Sequence, residues 1–500
     1  MNARAPRRIG RFILQGVLAA CGAAFAADGA TGFVQGDGVA LPQTDTHAIA
    51  AIAAWSEDPL RTRPGVLDSG ATLPGDRTPY PCASDATVDK PLYLADAIDL
   101  ALCNSPLVRS AWAAIKAQSA AVGEARAAYL PTVSAGLSRT SDRTLYPGLG
   151  VPATVDVGNS SNLGVSWRLF DFGGRAANRD SAEKMLDAAI ASHDAALQKA
   201  LEVVIGAYFD AQSTKSAYDA KLEGESLARE TLETATRRES HGAGSRSETL
   251  QASASLSKAS LDRSRANGDH RKALSMLVYA LGLAPGTSVS LAPDLVDNSR
   301  DLGQELAQWI GQAQSSHPAI VAAKAQLDAT RDKVTATEAE GLPTLDASFN
   351  IYRNGRPTQG LPTIQTTERV VGLTLTIPLF DGFSHKYKVR GAQAQVEQKE
   401  ADVQDLEHQV LLDVLKAHAD AVSALDNLDL SQGLLTASLE ALDSVRRKYD
   451  RGASDILEML SVQASLADAR QQRVRCLAEW RSARLRLMAA AGVLGRAGVH

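Results

Sequence analysis

Aromatic residues are scarce in this 500-residue chain: they make up 5% of it, although 45% of its residues are hydrophobic. A compact β-rich enzyme normally contains more rings, whereas this balance is typical of long packed helices. After Ala27 the sequence also lacks any uninterrupted apolar run of the roughly 20 residues that a membrane-spanning helix needs. Any insertion into a membrane must therefore be made by strands.

Clusters of residues that carry catalysis or bind nucleic acid are missing as well. The nine histidines are dispersed, and no group of cysteine and histidine has the spacing of metal ligands. The glycine-containing segment 242–245 lacks the lysine and the preceding strand of a phosphate-binding loop. The net charge is −5 with both signs interspersed, so there is no basic stripe that could neutralise phosphates. We therefore expect no enzymatic activity, no metal or other cofactor and no nucleic-acid partner.

The N-terminal segment has the pattern of an export signal. Arginines precede an apolar run from Phe12 to Ala27, which contains the small-residue triplet Ala24-Phe25-Ala26. This pattern predicts a signal peptide over residues 1–26 and a mature chain outside the cytoplasm. The alternative is a lipoprotein, because Leu18–Gly22 resembles a bacterial lipoprotein cleavage site, and Cys21 would then carry the lipid.

Three further cysteines follow the signal segment. Cys82 and Cys103 flank a short segment of a chain that is predicted to enter an oxidising compartment, so we predict a disulfide between them. It would staple a proline- and glycine-rich extension over residues 27–90 to the first helix. Cys476 lies in a helical pattern and is interpreted as a small buried apolar residue.

The chain contains an internal duplication. Leu130-Pro131-Thr132 recurs 212 residues later as Leu342-Pro343-Thr344, and Leu169-Phe170-Asp171 recurs 210 residues later as Leu379-Phe380-Asp381. A loop that is two residues shorter in the second copy explains the difference. The predicted units are a first repeat over 91–284, a linker over 285–301, a second repeat over 302–494 and a tail over 495–500.

Each repeat contains two stretches in which apolar and polar residues alternate. In the first repeat Leu163, Val165 and Trp167 alternate with glycine, serine and arginine. This predicts strands with one apolar and one polar face, within about 132–170 and about 344–379.

Prolines and aspartates mark the transitions between helices and strands. Pro131 and Pro343 are predicted to end helices where the chain passes into strands. Pro378 lies at a strand-to-helix turn and lacks a backbone donor for strand pairing. Asp171 and Asp381 lie in the turns that follow the second strand of each repeat.

Two very long helices follow the strands. The helical pattern runs from about Gly174 to Ser240 and from about Ser384 to Tyr449, with no proline in either run. At 1.5 Å per residue each helix would be roughly 100 Å long, so it cannot fold into a globule. A shorter helix then returns in each repeat, which gives helical hairpins over about 174–283 and 384–493. The helix before the strands and the return helix together nearly match the long helix, so they can stack end to end beside it.

Four strands with one apolar face pose a problem for a single chain. In a bilayer every backbone polar group must be paired, and the smallest membrane barrels close with about eight strands. Several copies of the chain must therefore share one barrel, with their apolar faces toward lipid. The alternative is a soluble sandwich in which the apolar faces meet one another.

The element order and three motifs resemble the TolC-like outer-membrane channel family, which serves type I protein secretion and multidrug efflux. The motifs are the Leu-Phe-Asp turns, the Leu-Pro-Thr segments before the strands and Tyr449-x-x-Gly452-Ala453-Ser454. The resemblance covers residues 92–493. It implies a mainly α fold with a small transmembrane β part, built from a duplicated helix-strand-strand-long helix-helix unit. It also implies a homotrimer in the cell outer membrane, with a 12-stranded barrel on a coiled-coil helical tunnel that extends into the periplasm.

The same resemblance implies partners and a cargo. A periplasmic adaptor (membrane fusion) protein and an inner-membrane ABC exporter or RND pump would complete a tripartite export system, with outer-membrane lipid around the barrel. The segment from Ala101 to Trp112 is similar to members that secrete adenylate cyclase-haemolysin toxin, which implies protein export, of an RTX-type toxin, over drug efflux. The alternatives are a drug-efflux lipoprotein of the same family and, in a different class, a periplasmic coiled-coil adaptor. Because the chain ends soon after its last helix, we expect the family's equatorial belt to be reduced.

The hairpin tips are the candidate periplasmic gate, because the family closes its tunnel there with acidic residues at the entrance. Glu248 and Glu458 occupy matching positions in the two repeats. A ring of carboxylates at a constriction selects cations and repels itself until a partner relieves it. The same positions also fit helix N-terminal capping, in which a carboxylate satisfies free backbone donors. Both interpretations remain open.

The family's basic latch near this turn is not matched, since Ser454 stands in its place. Arg451 or Arg246 could substitute for it, with Tyr449 as a hydrogen-bonding partner. We therefore expect the closed entrance to be held less tightly or by different contacts.

The glycines of the two tips, which are Gly242, Gly244 and Gly452, are predicted to permit left-handed turn geometry. Adaptor docking is a secondary role that they would share with Ala453 and Ser454.

Overall fold

The computed structural model describes residues 58–64, 91–145, 148, 150, 152–292, 302, 304–353, 366–451 and 453–494. The chain divides into two units, Met1–Pro59 and Leu60–His500, and every element given below belongs to the second. The predicted signal peptide and tail, together with Cys21, Cys82 and Gly452, lie outside the described residues.

Two repeats share one order of elements. The first contains α1 Leu94–Asn104, α2 Pro106–Ala127, β1 Thr132–Thr144, β2 Thr154–Phe170, α3 Gly174–Ser240 and α4 Arg246–Ala280. The second contains α5 Leu306–Ser316, α6 Pro318–Ala339, β3 Thr344–Arg353, β4 Thr367–Thr376, α7 Ser384–Asp450 and α8 Ile456–Ala490. The predicted fold class is confirmed, while the short helices α1 and α5 are additions to the predicted elements.

The long helices α3 and α7 each contain 67 residues, which corresponds to about 100 Å at 1.5 Å per residue. Helix α3 packs against α2 and α4 of its own repeat and against α6 and α8 of the other repeat. Helix α7 packs against α6 and α8. The lateral order is therefore α2 with α4, then α3, then α6 with α8, then α7. In the described part of the chain, no helix has the length and apolar character needed to cross a bilayer.

The shorter helices of each repeat stack end to end, as their lengths predict. Gly282 follows α4 with φ +68°, and a Cβ built on it would lie 2.8 Å from Cβ of Asn104 at the end of α1. Gly492 follows α8 with φ +74°, and its Cβ would lie 2.8 Å from Cδ of Pro318 at the start of α6. Each return helix thus ends against the start of the helix before the strands. Only glycine fits both the left-handed φ and the close approach.

Two apolar clusters fill the middle of the helical part. The first joins α1, α3 and α4 and contains Ile98, Leu201 and Leu277. The second joins α5, α7 and α8 and contains Trp309 and Trp480, with Cys476 buried beside them as a free thiol.

Cys103 at the end of α1 is disulfide-bonded. Its partner lies outside the described residues, so the pairing with Cys82 stays a prediction.

The four strands form one antiparallel sheet in the order β1-β2-β3-β4. Directly paired residues of neighbouring strands lie on the same face of the sheet. The register therefore forms rows of apolar residues on one face and rows of polar residues on the other. One row runs through Val133, Val165, Phe349 and Val371. This apolar face is open to the surroundings, and Val371 is 80% exposed. The opposite face carries serine, glycine and asparagine, as in the row Ser134, Gly164 and Asn350. Within the described strands there is thus a single sheet, and the sandwich alternative is not what the chain adopts.

Replacing Gly492 by alanine should destabilise the helical part. The added Cβ meets Pro318 and must adopt a left-handed conformation, which costs about 1–2 kcal/mol before any contact is counted. The matched control is Gly224→Ala in the interior of α3, where a Cβ meets nothing within 4 Å and helix propensity gains up to about 1 kcal/mol. Thermal melting of the helical circular dichroism signal in detergent should fall for the first variant and hold or rise for the second. Equal melting of both variants would contradict the stacking.

Candidate functional site

The first hairpin tip, between α3 and α4, is a glycine-dependent helix end. The backbone N–H of Ala243 donates to the carbonyl of Arg238 at 2.8 Å, and that of Gly242 donates to Glu239 at 3.0 Å. This pair of bonds closes a helix when the intervening residue is left-handed. Gly242 has φ +73° and supplies that conformation.

Gly244 serves a different purpose, and the left-handed geometry predicted for it is wrong. Its φ is not among the positive values of the described glycines. A Cβ at this position would lie 3.1 Å from Cβ of Arg238 and 3.2 Å from the backbone nitrogen of Glu239. The missing side chain therefore lets the turn pass close over the end of α3.

The second tip, between α7 and α8, shares one bond with the first. The N–H of Ala453 donates to the carbonyl of Lys448 at 2.9 Å, which matches the bond from Ala243 to Arg238 at the 210-residue offset. The two repeats thus have the same hydrogen bond across the turn.

Glu248 and Glu458 occupy the third position of α4 and α8, and both helices are capped by the residue before them. The N–H of Glu248 donates to Oγ of Ser245 at 3.2 Å, and that of Glu458 donates to Oδ1 of Asp455 at 2.8 Å. The Ser454 hydroxyl donates to the Glu458 carboxylate. Glu458 is exposed and Glu248 is half-buried. The capping geometry is therefore present, and both carboxylates remain close to solvent.

One contact joins the two tips of the chain. Cζ of Arg238 lies 4.8 Å from the ring centroid of Tyr449, and Nη1 donates to the Tyr449 carbonyl at 3.4 Å. Tyr449 is only 4% exposed and packs with Val445, Ile456 and Met459. A cation over an aromatic ring contributes about 0.5–2 kcal/mol, the larger values when it is desolvated. Arg238 thus holds the end of the first hairpin on the second.

Arg238 takes the place for which the sequence suggested Arg451 or Arg246. Both of these arginines are exposed, and neither side chain forms an ion pair or hydrogen bond with another described residue. Arg238 aligns with Lys448 at the 210-residue offset, so a basic residue ends both long helices. That pattern is already explained by the helix dipole. The contact of Arg238 with the other repeat depends on tertiary packing, which a sequence pattern does not reveal.

Exposed ion pairs supplement this contact along the helices above the tips. Arg446 pairs with Glu230 at 3.2 Å, and Arg470 pairs with Glu223 at 2.7 Å. Such pairs typically contribute no more than about 1 kcal/mol each. The ion pairs between the hairpins are thus individually weak.

The strand-to-helix transitions are organised by Asp171 and Asp381. Oδ2 of Asp171 accepts from the backbone N–H of Arg175 at 3.0 Å and from its Nε at 2.9 Å. Oδ2 of Asp381 accepts from the N–H of His385 at 2.6 Å. Each aspartate therefore satisfies a free donor in the first turn of a long helix.

Arg175 connects three elements at this junction. Its guanidinium donates to the carbonyl of Arg168 in β2 at 2.8 Å and lies 4.8 Å from the ring centroid of Tyr129, which follows α2. In the second repeat Gly341 replaces the tyrosine, because a Cβ there would lie 2.5 Å from Nε2 of His385. The two repeats thus stabilise equivalent junctions with different side chains.

The three prolines lie in the connections on either side of the sheet. Pro131 lies between α2 and β1, and Pro343 between α6 and β3. Pro378 follows β4, which ends at Thr376. None of them interrupts strand pairing.

Long helical hairpins beneath a sheet with an exposed apolar face define a channel subunit with a membrane-inserted β part. The family model for the outer membrane efflux protein family matches residues 97–283 and 309–493, and the chain belongs to that family. It is a subunit of an outer-membrane export channel that extends into the periplasm.

Individual relatives agree with this assignment. The chain is 36% identical over 457 residues to protein CyaE of Bordetella pertussis, covering 90% of this chain and 96% of CyaE. It is 23% identical over 313 residues to the alkaline protease secretion protein AprF of Pseudomonas aeruginosa, covering 61% of this chain and 63% of AprF. The outer membrane protein VceC of Vibrio cholerae superimposes with a TM-score of 0.68 at 20% identity, covering 80% of this chain and 96% of VceC.

Removing the contact between the tips should favour the open entrance. Arg238→Ala deletes an interaction of about 0.5–2 kcal/mol, which shifts an equilibrium about 2- to 30-fold. Single-channel conductance in planar bilayers should therefore rise, or openings should become more frequent. The control is Arg237→Ala, because Arg237 donates only to Thr234 on its own helix. Unchanged conductance in both variants would show that Arg238 does not restrain the entrance.

Proposed function

We propose that identical copies of this chain form a closed homotrimeric ring, with one shared barrel in the outer membrane and one helical tunnel in the periplasm, for protein export. The proposal rests on the open edges of the sheet and of the helical part. Each edge has no partner among the described residues of the chain, whereas the equivalent element of the other repeat is paired inside the chain.

The sheet supports ring closure through its two edges. The pairing of β2 with β3 joins the first repeat to the second. By the duplication, β4 is equivalent to β2 and β1 is equivalent to β3. Both β4 and β1 are edge strands of the four-stranded sheet. The same pairing can therefore recur between β4 of one copy and β1 of the next.

The duplication also predicts the register of that pairing. Gly164 pairs with Asn350 within the chain. At the 210-residue offset Gly164 corresponds to Thr374, and at the 212-residue offset Asn350 corresponds to Ser138. Thr374 of one copy is therefore expected opposite Ser138 of the next. Both residues lie on the polar face of the sheet, which would line the lumen.

The helices support the same closure. Helix α3 packs against α6 and α8 of the other repeat, so its equivalent α7 should pack against α2 and α4 of the next copy. Large apolar side chains are exposed on both open sides. On α7 they include Leu412, Leu430, Leu434 and Leu439, and on α4 Leu250, Leu261, Met276 and Tyr279. Leu430 is 72% exposed and Tyr279 is 78% exposed, which is costly without a partner.

The number of copies follows from the width of the duct. One chain supplies four strands, and two copies would supply eight. A barrel of about eight strands is only wide enough for its own side chains. Three copies supply 12 strands and leave a lumen, in accord with the similarity to the TolC-like channels.

The cargo and the remaining partners are inferred from relatives. AprF is named as an alkaline protease secretion protein, and the relation to CyaE spans nearly both chains. These similarities favour a protein cargo over a drug, and the resemblance of residues 101–112 extends this to an RTX-type toxin. A periplasmic adaptor would dock on the tips, at Gly242, Gly244, Gly452, Ala453 and Ser454. An inner-membrane ABC exporter, or alternatively an RND pump, would lie beneath the adaptor. Glu248, Glu458 and Tyr449 would then lie at the entrance.

Ring closure is tested by a cross-link between copies. A double variant with Ser138→Cys and Thr374→Cys should give disulfide-linked dimers and trimers on non-reducing gels, which collapse to monomers on reduction. The control combines Ser134→Cys with Thr374→Cys, four residues out of register or about 13 Å along the strand. Monomers alone, or equal cross-linking in the control, would contradict the proposed ring.

The cargo is tested in the organism that carries the gene. Deleting the gene should remove a large protein from the culture medium, and plasmid expression of the chain should restore it. Minimal inhibitory concentrations of drugs and dyes should change less than twofold. A multifold drop in drug resistance with an unaltered secreted proteome would assign the channel to efflux instead.

A further inference from the structure

The charged residues of the strands are segregated between the two faces of the sheet. Strand register places four arginines on the apolar face, which are Arg139, Arg143, Arg353 and Arg369. No aspartate or glutamate occupies a position on that face in the described strands. Acidic positions such as Asp346 and Glu368 fall on the polar face. The apolar face therefore carries a purely positive charge.

The arginines lie at the end of the sheet that is distant from the helices. Arg353 is the last residue of β3, nine positions after Thr344. At about 3.3 Å per residue this is about 30 Å along the strand. In a barrel whose strands tilt about 35–45°, it corresponds to the height of the roughly 25 Å apolar band. The arginines thus lie at the outer rim of the band, at the level of the external headgroups.

No ion pair with a described side chain compensates the charge of these arginines. All four side chains are exposed, and none forms an ion pair with another described residue. Arg168 on the polar face differs, because its Nε lies 3.0 Å from Oδ1 of Asp346. Among the described residues, the outer arginines thus differ from Arg168 in having no carboxylate partner, and they face the surroundings of the sheet.

Two of the arginines share a cavity with further hydrogen-bonding side chains. Arg139 pairs across the sheet with Asn159, and Arg353 pairs with Ser161. All four residues line one cavity of about 490 Å³. It offers two guanidinium groups, an amide and a hydroxyl, which suits an anion that is attached to a sugar.

A second arginine pair arises at the seam between copies. Continuing the register that places Thr374 opposite Ser138 brings Arg369 opposite Arg143 of the next copy. Like charges directly opposite each other on a sheet are destabilising. A phosphate between the two guanidinium groups would convert this repulsion into two charge-assisted contacts.

We propose that this arginine belt, formed by Arg139, Arg143, Arg353 and Arg369, binds the phosphate groups of the glycolipid in the outer leaflet. The seam pair rests on the proposed ring, whereas Arg139 and Arg353 belong to one chain. Guanidinium groups bind phosphate in a bidentate manner, and they are less strongly hydrated than lysine ammonium groups. Lipid binding would therefore fix the height of the barrel and relieve the repulsion at each seam.

The test compares lipid binding by the purified full chain in dodecylmaltoside. Native mass spectrometry titrates it with diphosphoryl lipid A and with the same lipid after both phosphates have been removed. The wild-type protein should bind the diphosphoryl lipid at least tenfold more tightly than the dephosphorylated one. The triple variant with Arg139→Gln, Arg353→Gln and Arg369→Gln should lose that preference.

The matched control is Glu368→Gln, which changes the charge by one unit on the polar face beside Arg369. It should keep the preference of the wild type. Equal binding of both lipids by the wild type, or an unchanged preference in the triple variant, overturns the proposal. A monomeric mass for the wild type would instead refute the ring, and the ratio measured on that monomer would still decide whether Arg139 and Arg353 bind phosphate.

Discussion

The pairing of backbone polar groups at the edges of the sheet is the constraint on which the rest of the structure depends. In a bilayer each unpaired N–H or C=O costs several kcal/mol, and the four-stranded sheet has two open edges. A chain with such a sheet in a membrane cannot remain alone. In the proposed ring, β4 of one copy pairs with β1 of the next, because these strands are the repeat equivalents of β2 and β3. By the same equivalence, α7 of one copy packs against α2 and α4 of the next.

The sequence predicts the architecture well because periodicity and repetition are local signals. The bounds of α3 follow from the change of period after Asp171 and from the turn at Gly242, and the strands follow from the alternation around Val165 and Val371. The short helices α1 and α5 also carry a helical period, since buried Ala97, Ile98, Ala101 and Leu102 recur at helical spacing in α1, but each covers only 11 residues. Their packing at the middle of the helical part arises from tertiary contacts of residues such as Ile98 and Trp309.

At the tips, the sequence predicts the local turns but not the contact between the two hairpins. The turn residues and the caps at Ser245 and Asp455 follow from patterns within one hairpin. The contact of Arg238 with Tyr449 joins residues 211 positions apart, and it depends on how the end of α3 lies beside the hairpin of α7 and α8. Gly244 is a related case, because its lack of a side chain reflects the approach of the turn to Arg238, and the sequence alone does not distinguish this from a left-handed φ.

The same duplication implies that the seams of the proposed ring differ in strength at the entrance. Within a chain, Arg238 packs on the buried ring of Tyr449. The offset of 210 converts this pair into Lys448 of one copy beside Glu239 of the next, because the repeats differ at both positions. A lysine–glutamate pair at an exposed turn contributes no more than about 1 kcal/mol and is screened by salt. In the proposed ring the tips are therefore joined more weakly between copies than within each chain. Opening of the entrance should therefore begin by separating copies, and the contact of Arg238 with Tyr449 should then resist the separation of the two hairpins within each chain.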